Sequence, residues 1–318
     1  MLGLYSGQSD ENFYWNHNDL ASAETARAFY AGDQWQNSGG DRTWLAPEAD
    51  LFFPHFPKLD TYFQQRSLDP GNYSVIEANG RFKLVNRLKV TFSRAKKSID
   101  LKITKSFGPA PNPIRHERGV DISGVEYAGY TQYTSLELTG ASKSTGVQVG
   151  LWNLVQMPHG GDLLIPTYNY SKPRHIFSTI GAIPADELIT NDHFICYRMR
   201  QKGEHKISVR AISVCGRVGY VYKSGSKWSL IVRNFVVNPS GEYVDVPWID
   251  PEYFGFAVQA CNVNSALGSF SELEYHIPAI GHRTGRVQCD DEAQVWAFRG
   301  EKRAIGMIQK LLLGPGRR

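Results

Sequence analysis

The stretch Ser98-Ile99-Asp100-Leu101-Lys102-Ile103-Thr104-Lys105 sets apolar side chains at 99, 101 and 103 against polar ones at the alternate positions. Successive side chains of a strand point to opposite faces, so this period of two predicts a half-buried antiparallel strand. Similar short runs recur at 125–138, 147–155, 194–200, 206–214, 219–222, 229–237, 254–261 and 270–275, separated by Gly, Pro, Asn or Ser clusters. Lys223-Ser224-Gly225-Ser226-Lys227 and Asn238-Pro239-Ser240-Gly241 read as turns. Many strands at this spacing without helical patterns between them predict an all-β sandwich or barrel.

Two helices interrupt the pattern. Asp19 is a candidate cap for a helix over 20–31, with Gly32 as its stop, and Ile305, Ile308, Leu311 and Leu312 recur at helical spacing before Gly314-Pro315-Gly316. The chain has 318 residues, 42% of them hydrophobic, enough for a full core, and no linker or repeat divides it. A single domain over 1–318 is expected. Net charge is only +4, which favours neither nucleic acid nor membrane as a partner. Nine basic residues between Arg81 and Lys105 lack interleaved aromatics and read as the solvated face of two edge strands.

No run of 18 apolar residues is present, and the first residues lack a basic segment followed by an apolar one. A cytoplasmic location is expected for the chain as written, or a periplasmic or secreted one if its true start lies upstream. Cys196, Cys215, Cys261 and Cys289 are widely spaced; Cys196 and Cys215 could pair across a hairpin, but four reduced thiols are the favoured reading.

Nucleophile-elbow, phosphate-loop, dinucleotide-binding and H-E-x-x-H signatures are all missing from the sequence. His159 and Asp162 offer at most two ligands of a metal site, so neither metal nor cofactor is expected. Polar and aromatic residues gather instead in three glycine-punctuated segments: 37–48, 152–162, and 259–262 with 268–276. Such sets suit a mono- or oligosaccharide, whose C–H faces pack on indoles and whose hydroxyls pair with carboxylates, amides and guanidinium groups. The candidates for binding are Asp41, Arg42, Trp44, Trp152, Gln156 and Arg174, with the two indoles stacking on the sugar or walling its cleft.

Asn37-x-Gly39-Gly40-Asp41-Arg42-x-Trp44-x-Ala46-Pro47-Glu48 resembles the N-G-G-x-x-x-W-x-A-P-[EQ] segment of proteins related to galactose mutarotase. Glu11-Asn12, Trp152-x-x-x-Gln156-x-Pro158-x-Gly160-Gly161 and Phe270-x-Glu272-x-Glu274 are similar to patterns in bacterial branches of that superfamily. The likeness runs from about Glu11 to Ile280. It implies an antiparallel β-supersandwich that binds carbohydrate in a concave face. Mutarotases use a histidine acid and a glutamate base, the latter two residues before a late-strand glutamine. If Gln259 is that glutamine, Ala257 stands in the base position, and Asn16-His17 and Asp192-His193 match the acid motif only superficially.

A substitute pair is therefore expected, with His159 as acid and Glu48 or Glu274 as base. The resulting activity is that of an aldose-epimerase-like isomerase. The alternatives are a non-catalytic sugar-binding or accessory protein, a polysaccharide lyase or glycoside hydrolase using paired carboxylates, and a ligand-free β-protein in which Arg42 and Glu48 pair with each other.

Overall fold

The computed structural model describes residues 1–56, 58, 61–78, 81–178, 182–245 and 255–314. Two antiparallel sheets carry the fold, as the alternating runs predict. The smaller has six strands in the spatial order β1 (Asp41–Ala46), β6 (Gly150–Pro158), β15 (Gly268–His276), β14 (Phe256–Ser265), β11 (Gly203–Arg210) and β8 (Arg174–Ser178). The larger has ten: β2 (Ser74–Ala78), β3 (Arg81–Phe92), β4 (Lys97–Pro109), β5 (Glu126–Leu138), β16 (Gln288–Gly300), β13 (Lys227–Phe235), β12 (Arg217–Ser224), β7 (Asp162–Pro166), β10 (Phe194–Arg198) and β9 (Leu188–Thr190).

The main core fills the space between the sheets, where Val90, Ile103, Leu136, Leu151, Val155, Ile207, Ile231 and Leu273 are buried. Each such side chain contributes roughly 1.5–3 kcal/mol of burial. A second apolar cluster lies on the far side of the large sheet. There Ile305, Ile308 and Leu312 of the helix α3 (Lys302–Leu313) cover Leu164, Leu230, Val232 and Phe298.

Several expectations shift at this level. The early helix, α1 (Ala23–Ala31), is capped by Ser22, whose hydroxyl accepts from Thr25 N at 3.2 Å; Asp19 lies in a preceding single turn. Gly32 ends it as expected. Leu311 faces solvent instead of packing with Ile308 and Leu312, and Pro315-Gly316 lie outside the described residues. The basic strands β3 and β4 are interior to the sheet, with β2 at its edge, and their outward charges meet partners such as Lys102 with Glu137 across strands. The run at 206–214 stops at Arg210, that at 147–155 moves to 150–158, and Phe254 lies outside the described residues. All four cysteines are free thiols, Cys196 and Cys261 buried and Cys215 exposed.

Candidate functional site

In strand β1 adjacent side chains serve opposite faces. Asp41, Thr43 and Leu45 point between the sheets, whereas Arg42 and Trp44 point to the other face of the six-stranded sheet, opposite Leu154 and Trp152. Register carries that face across the sheet through Trp152 and Gln156 of β6, Glu272, Glu274 and His276 of β15, Gln259 of β14, and Lys206 and Ser208 of β11. A short helix, α2 (Glu48–Leu51), follows β1 and lays Glu48 over it.

At the centre is a buried lysine. Lys206 Nζ donates to Glu48 Oε2 at 2.8 Å, lies 3.1 Å from Glu274 Oε2, and sits 4.2 Å from the centre of the Trp152 ring. The Trp152 indole N–H donates to the same Glu274 oxygen at 2.7 Å. Burial opposes the lysine's charge, but Glu274, Glu48 and Asp245 outweigh it and hold the amine well above its ordinary value. Burial pushes both Glu48 and Glu274 up, each to about 7, against the pull of Lys206. One ammonium compensates one buried anion, so the lysine stays charged and the second carboxyl keeps its proton until near neutrality. Burial also raises Glu272, whose Oε1 accepts from Gln156 Nε2 at 2.6 Å.

Two groups of hydrogen bonds brace this centre. On one side Asp245 Oδ1 accepts the Glu48 backbone N–H at 3.0 Å, and its Oδ2 accepts from Gln259 Nε2 at 2.7 Å. Gln259 Oε1 lies 2.8 Å from His276 Nε2. An amide oxygen only accepts, so Nε2 carries the imidazole proton and Nδ1 the lone pair. Burial lowers His276 to about 4 and keeps the ring neutral. On the other side Asp69 Oδ2 gathers Arg42 Nη1 at 3.0 Å, Trp44 Nε1 at 2.9 Å and Gln64 Nε2 at 3.2 Å, while Arg42 Nη2 donates to Asn37 Oδ1 at 2.8 Å.

Among the described residues four buried polar atoms of this face have no protein partner: Glu274 Oε1, Gln156 Oε1, His276 Nδ1 and Arg42 Nε. Three accept and one donates, a complement that ligand hydroxyls satisfy, and such atoms in a folded protein call for a partner. Among the described residues no three His, Cys, Asp or Glu side chains come together to hold a metal ion.

The expected site residues divide. Glu48 and Glu274 meet on one lysine, and Arg42, Trp44, Trp152 and Gln156 share their face. Trp44 and Trp152 meet edge to face at 5.0 Å, and with Lys206 and His276 packed on Trp152 neither indole exposes a ring for stacking; they wall the face. Arg42 and Glu48 are not each other's partners, against the ligand-free reading.

Asp41 lies between the sheets, 3.1 Å from Arg233 and bonded to the Tyr130 hydroxyl. His159 sits half-buried in the turn after β6, 3.0 Å from Asn262 Oδ1; Asn262, next to Cys261, points away from the Lys206 face. Asp162 pairs with Arg200 instead of joining His159. Arg174 is exposed at the sheet edge, opposite Ser208, and Ala257 is buried and offers no carboxylate; the carboxylate bonded to Gln259 is that of Asp245. The Gly39-Gly40 pair makes room for backbone, not ligand: a Cβ on Gly39, at φ +82°, would collide with the Trp15 carbonyl. Lys206, Asp69, Asp245, Glu272, Gln259 and His276 complete the constellation beyond the expected residues. Lys206 carries no signal of this in the sequence: it lies in His205-Lys206-Ile207-Ser208-Val209, where a strand lysine reads as solvent-facing.

Over residues 3–315 the chain matches a family of unknown function, DUF6786, and it belongs to that family. No curated protein matches it in sequence. Among solved structures it is similar to a candidate aldose 1-epimerase from Klebsiella pneumoniae subsp. pneumoniae, at 10% identity and a TM-score of 0.29. That likeness covers 77% of this chain and 59% of the other, so the chain spans less than two thirds of that neighbour's length.

Proposed function

We propose that this family member binds a saccharide on the Lys206 face of its six-stranded sheet, and that Glu48 and Glu274 exchange protons with it in an aldose-epimerase-like isomerisation. The observation that carries this reading is the sharing of one buried ammonium by two carboxyls. Interconversion of anomers needs a base at the anomeric hydroxyl and an acid at the ring oxygen, with the roles reversed on closure. A pair in which one carboxyl is ionised and the other protonated near neutral pH meets both needs. Lys206 fixes the pair in place, Trp152 excludes water beside it, and the unpaired atoms of Gln156, Arg42 and His276 are available to sugar hydroxyls.

Thermal-shift measurement against a panel of mono- and oligosaccharides, followed by polarimetry on each hit, tests the proposal. Ligand at about 100 times its dissociation constant adds roughly 2.7 kcal/mol. We expect a hit whose anomers equilibrate faster with the protein, and loss of that acceleration in Glu274→Gln with binding retained. Binding without acceleration would reduce the protein to a sugar-binding one. Absence of any saccharide hit would overturn the reading.

A further inference from the structure

Neither Trp44 nor Trp152 offers a free ring, but a third indole stands beside them. Trp35, in the loop before β1, meets the Trp44 ring at 6.1 Å and makes no ring contact with Trp152, which places it over the β1 end of the Lys206 face. Tyr62 stacks on one side of it at 3.9 Å and 18°, and Phe52 backs Tyr62 at 5.3 Å. Among the described residues no other ring and no cation covers Trp35, and its side chain is only half-buried. The indole N–H is withdrawn from water yet has no acceptor among those residues, a state that calls for a partner.

Hydrogen bonds hold this platform in place. The Gln36 backbone N–H donates to Gln64 Oε1 at 2.9 Å, Gln64 Nε2 donates to Asp69 Oδ2 at 3.2 Å, and Arg66 Nη2 donates to the Gln34 carbonyl at 2.8 Å. The residues on either side of Trp35 are thus tied to the segment that carries Tyr62 and to the carboxylate that anchors Arg42. Burial, with Glu48 and Glu272 nearby, holds the Tyr62 phenol well above its ordinary value, so it stays a donor, and no partner among the described residues takes its proton. Arg42 Nε is a further donor without an acceptor. On the β14 side of the acid pair, by contrast, Gln259 commits both ends of its amide to Ser208, Asp245 and His276.

We infer that the substrate is a reducing oligosaccharide, a disaccharide or longer, whose reducing-end unit sits at Glu48 and Glu274 and whose next unit stacks on Trp35. The inference rests on the saccharide reading above and names the substrate's length and orientation. Isomerisation at an anomeric carbon needs a free anomeric hydroxyl, so only the reducing-end unit reacts, and a further unit is joined through another of its hydroxyls. Glu274 and Trp44 stand on strands two apart, about 10 Å, and Trp35 touches Trp44 but not Trp152, a span that suits two joined sugar rings better than one. The C–H face of the second ring packs on the indole, and its hydroxyl oxygens accept from Trp35 Nε1, Arg42 Nε and the Tyr62 hydroxyl.

The test is calorimetric titration of the full chain with matched series: glucose, cellobiose and cellotriose; glucose, maltose and maltotriose; xylose, xylobiose and xylotriose. In a series that binds, we expect the disaccharide to bind at least about tenfold tighter than its monosaccharide, a margin within reach of ring stacking. Trp35→Ala should bring that ratio to near one, and Trp35→Phe, which keeps a ring and loses the N–H, should retain part of it. A second measurement needs no variant. Oxidation of the native chain by N-bromosuccinimide, located by peptide mass spectrometry, should spare Trp35 when disaccharide is bound and not when monosaccharide is. Equal affinity for mono- and disaccharide, a ratio untouched by Trp35→Ala, or oxidation of Trp35 unchanged by disaccharide would overturn the inference and leave the saccharide reading standing. Failure of every saccharide to bind would overturn both.

Discussion

The ammonium of Lys206 lies 2.8 Å from the carboxylate of Glu48, a residue 158 positions earlier in the chain, and both side chains are almost wholly withdrawn from solvent. A buried cation costs several kcal/mol of hydration and persists only where fixed anions repay it. Here the anions arrive from separate elements, Glu48 on the helix after β1 and Glu274 on β15. The contact thus joins the segment that follows the edge strand β1 to β11, next to the opposite edge of the sheet, and it makes the electrostatics of the site inseparable from the stability of the fold.

Lys206→Met removes the cation and leaves two buried carboxyls uncompensated. It should cost about 3–5 kcal/mol at pH 8 and clearly less at pH 5.5, where without the cation both carboxyls of the variant hold protons. Denaturant unfolding at the two pH values checks this; an equal loss at both would contradict the assigned charge state.

The Glu48 carboxyl titrates at about 7 in the folded chain against an ordinary value of 4.5. The folded state therefore holds a proton that the unfolded state releases. Its contribution to stability is full below about pH 4.5 and is lost as pH rises through about 7. His276 acts in the opposite sense: lowered to about 4 from 6.5, it contributes fully above about pH 6.5 and loses that contribution as pH falls through about 4. The two offset each other in the native protein, so the difference between native protein and Glu48→Gln is the diagnostic. That difference should shift against the native protein by a few kcal/mol at most between pH 4.5 and 7, as measured by unfolding at closely spaced pH values.

Asp69 concentrates three donors on one oxygen, from Arg42, Trp44 and Gln64. Asp69→Ala strands a buried guanidinium and should destabilise by about 3–5 kcal/mol. Asp69→Asn keeps one acceptor and should cost less. Both should weaken saccharide binding, because Arg42 and Trp44 lose their common anchor; titration of the folded variants measures that loss.

Asp41 and Arg42 are adjacent, yet their substitutions should separate stability from binding. Asp41→Asn leaves Arg233, fully buried, without its counter-charge and should cost about 3–5 kcal/mol while the folded protein binds saccharide as before. Arg42→Met should instead abolish or weaken binding. Unfolding and calorimetry on both variants decide the assignment.

His159→Ala should remove about 1 kcal/mol, the worth of its bond to Asn262, and leave saccharide binding and turnover unchanged. A fall in turnover at constant binding would return His159 to the chemistry.

The period-two alternation at 98–105 was enough to predict β4 and the all-β class, because one face of that strand meets the core and the other meets water. Strand β1 escaped the same reading. All six residues of Asp41–Ala46 are buried, and its polar side chains are paired on both faces, which erases the alternation. Strand β16 begins with Gln288-Cys289-Asp290-Asp291-Glu292, polar and charged residues that read as loop until their cross-strand partners are known. Glu48, Glu274, Arg42 and Gln156 were legible as individual polar residues in glycine-punctuated segments. Lys206 was not, because a lysine in a strand is usually a solvent-facing one and only the register across β14 and β15 buries it. Asp41 and His159 share those segments but point elsewhere, a distinction that depends on side-chain direction more than on residue type.

Strand β15 lies between β6 and β14 and is hydrogen-bonded to both, although it follows β6 by more than a hundred residues. The half of the sheet that carries Arg42 and Trp152 and the half that carries Lys206 and Gln259 have no other strand between them. A ribosome must therefore release the chain through residue 276 before the two halves can join, and until then β6 presents an open edge beside an unmet indole. Such late, non-local closure is slow and invites mispairing. Nascent chains stalled short of His276 should remain protease-sensitive through β1 and β6, which makes the timing of synthesis part of how this site comes to exist.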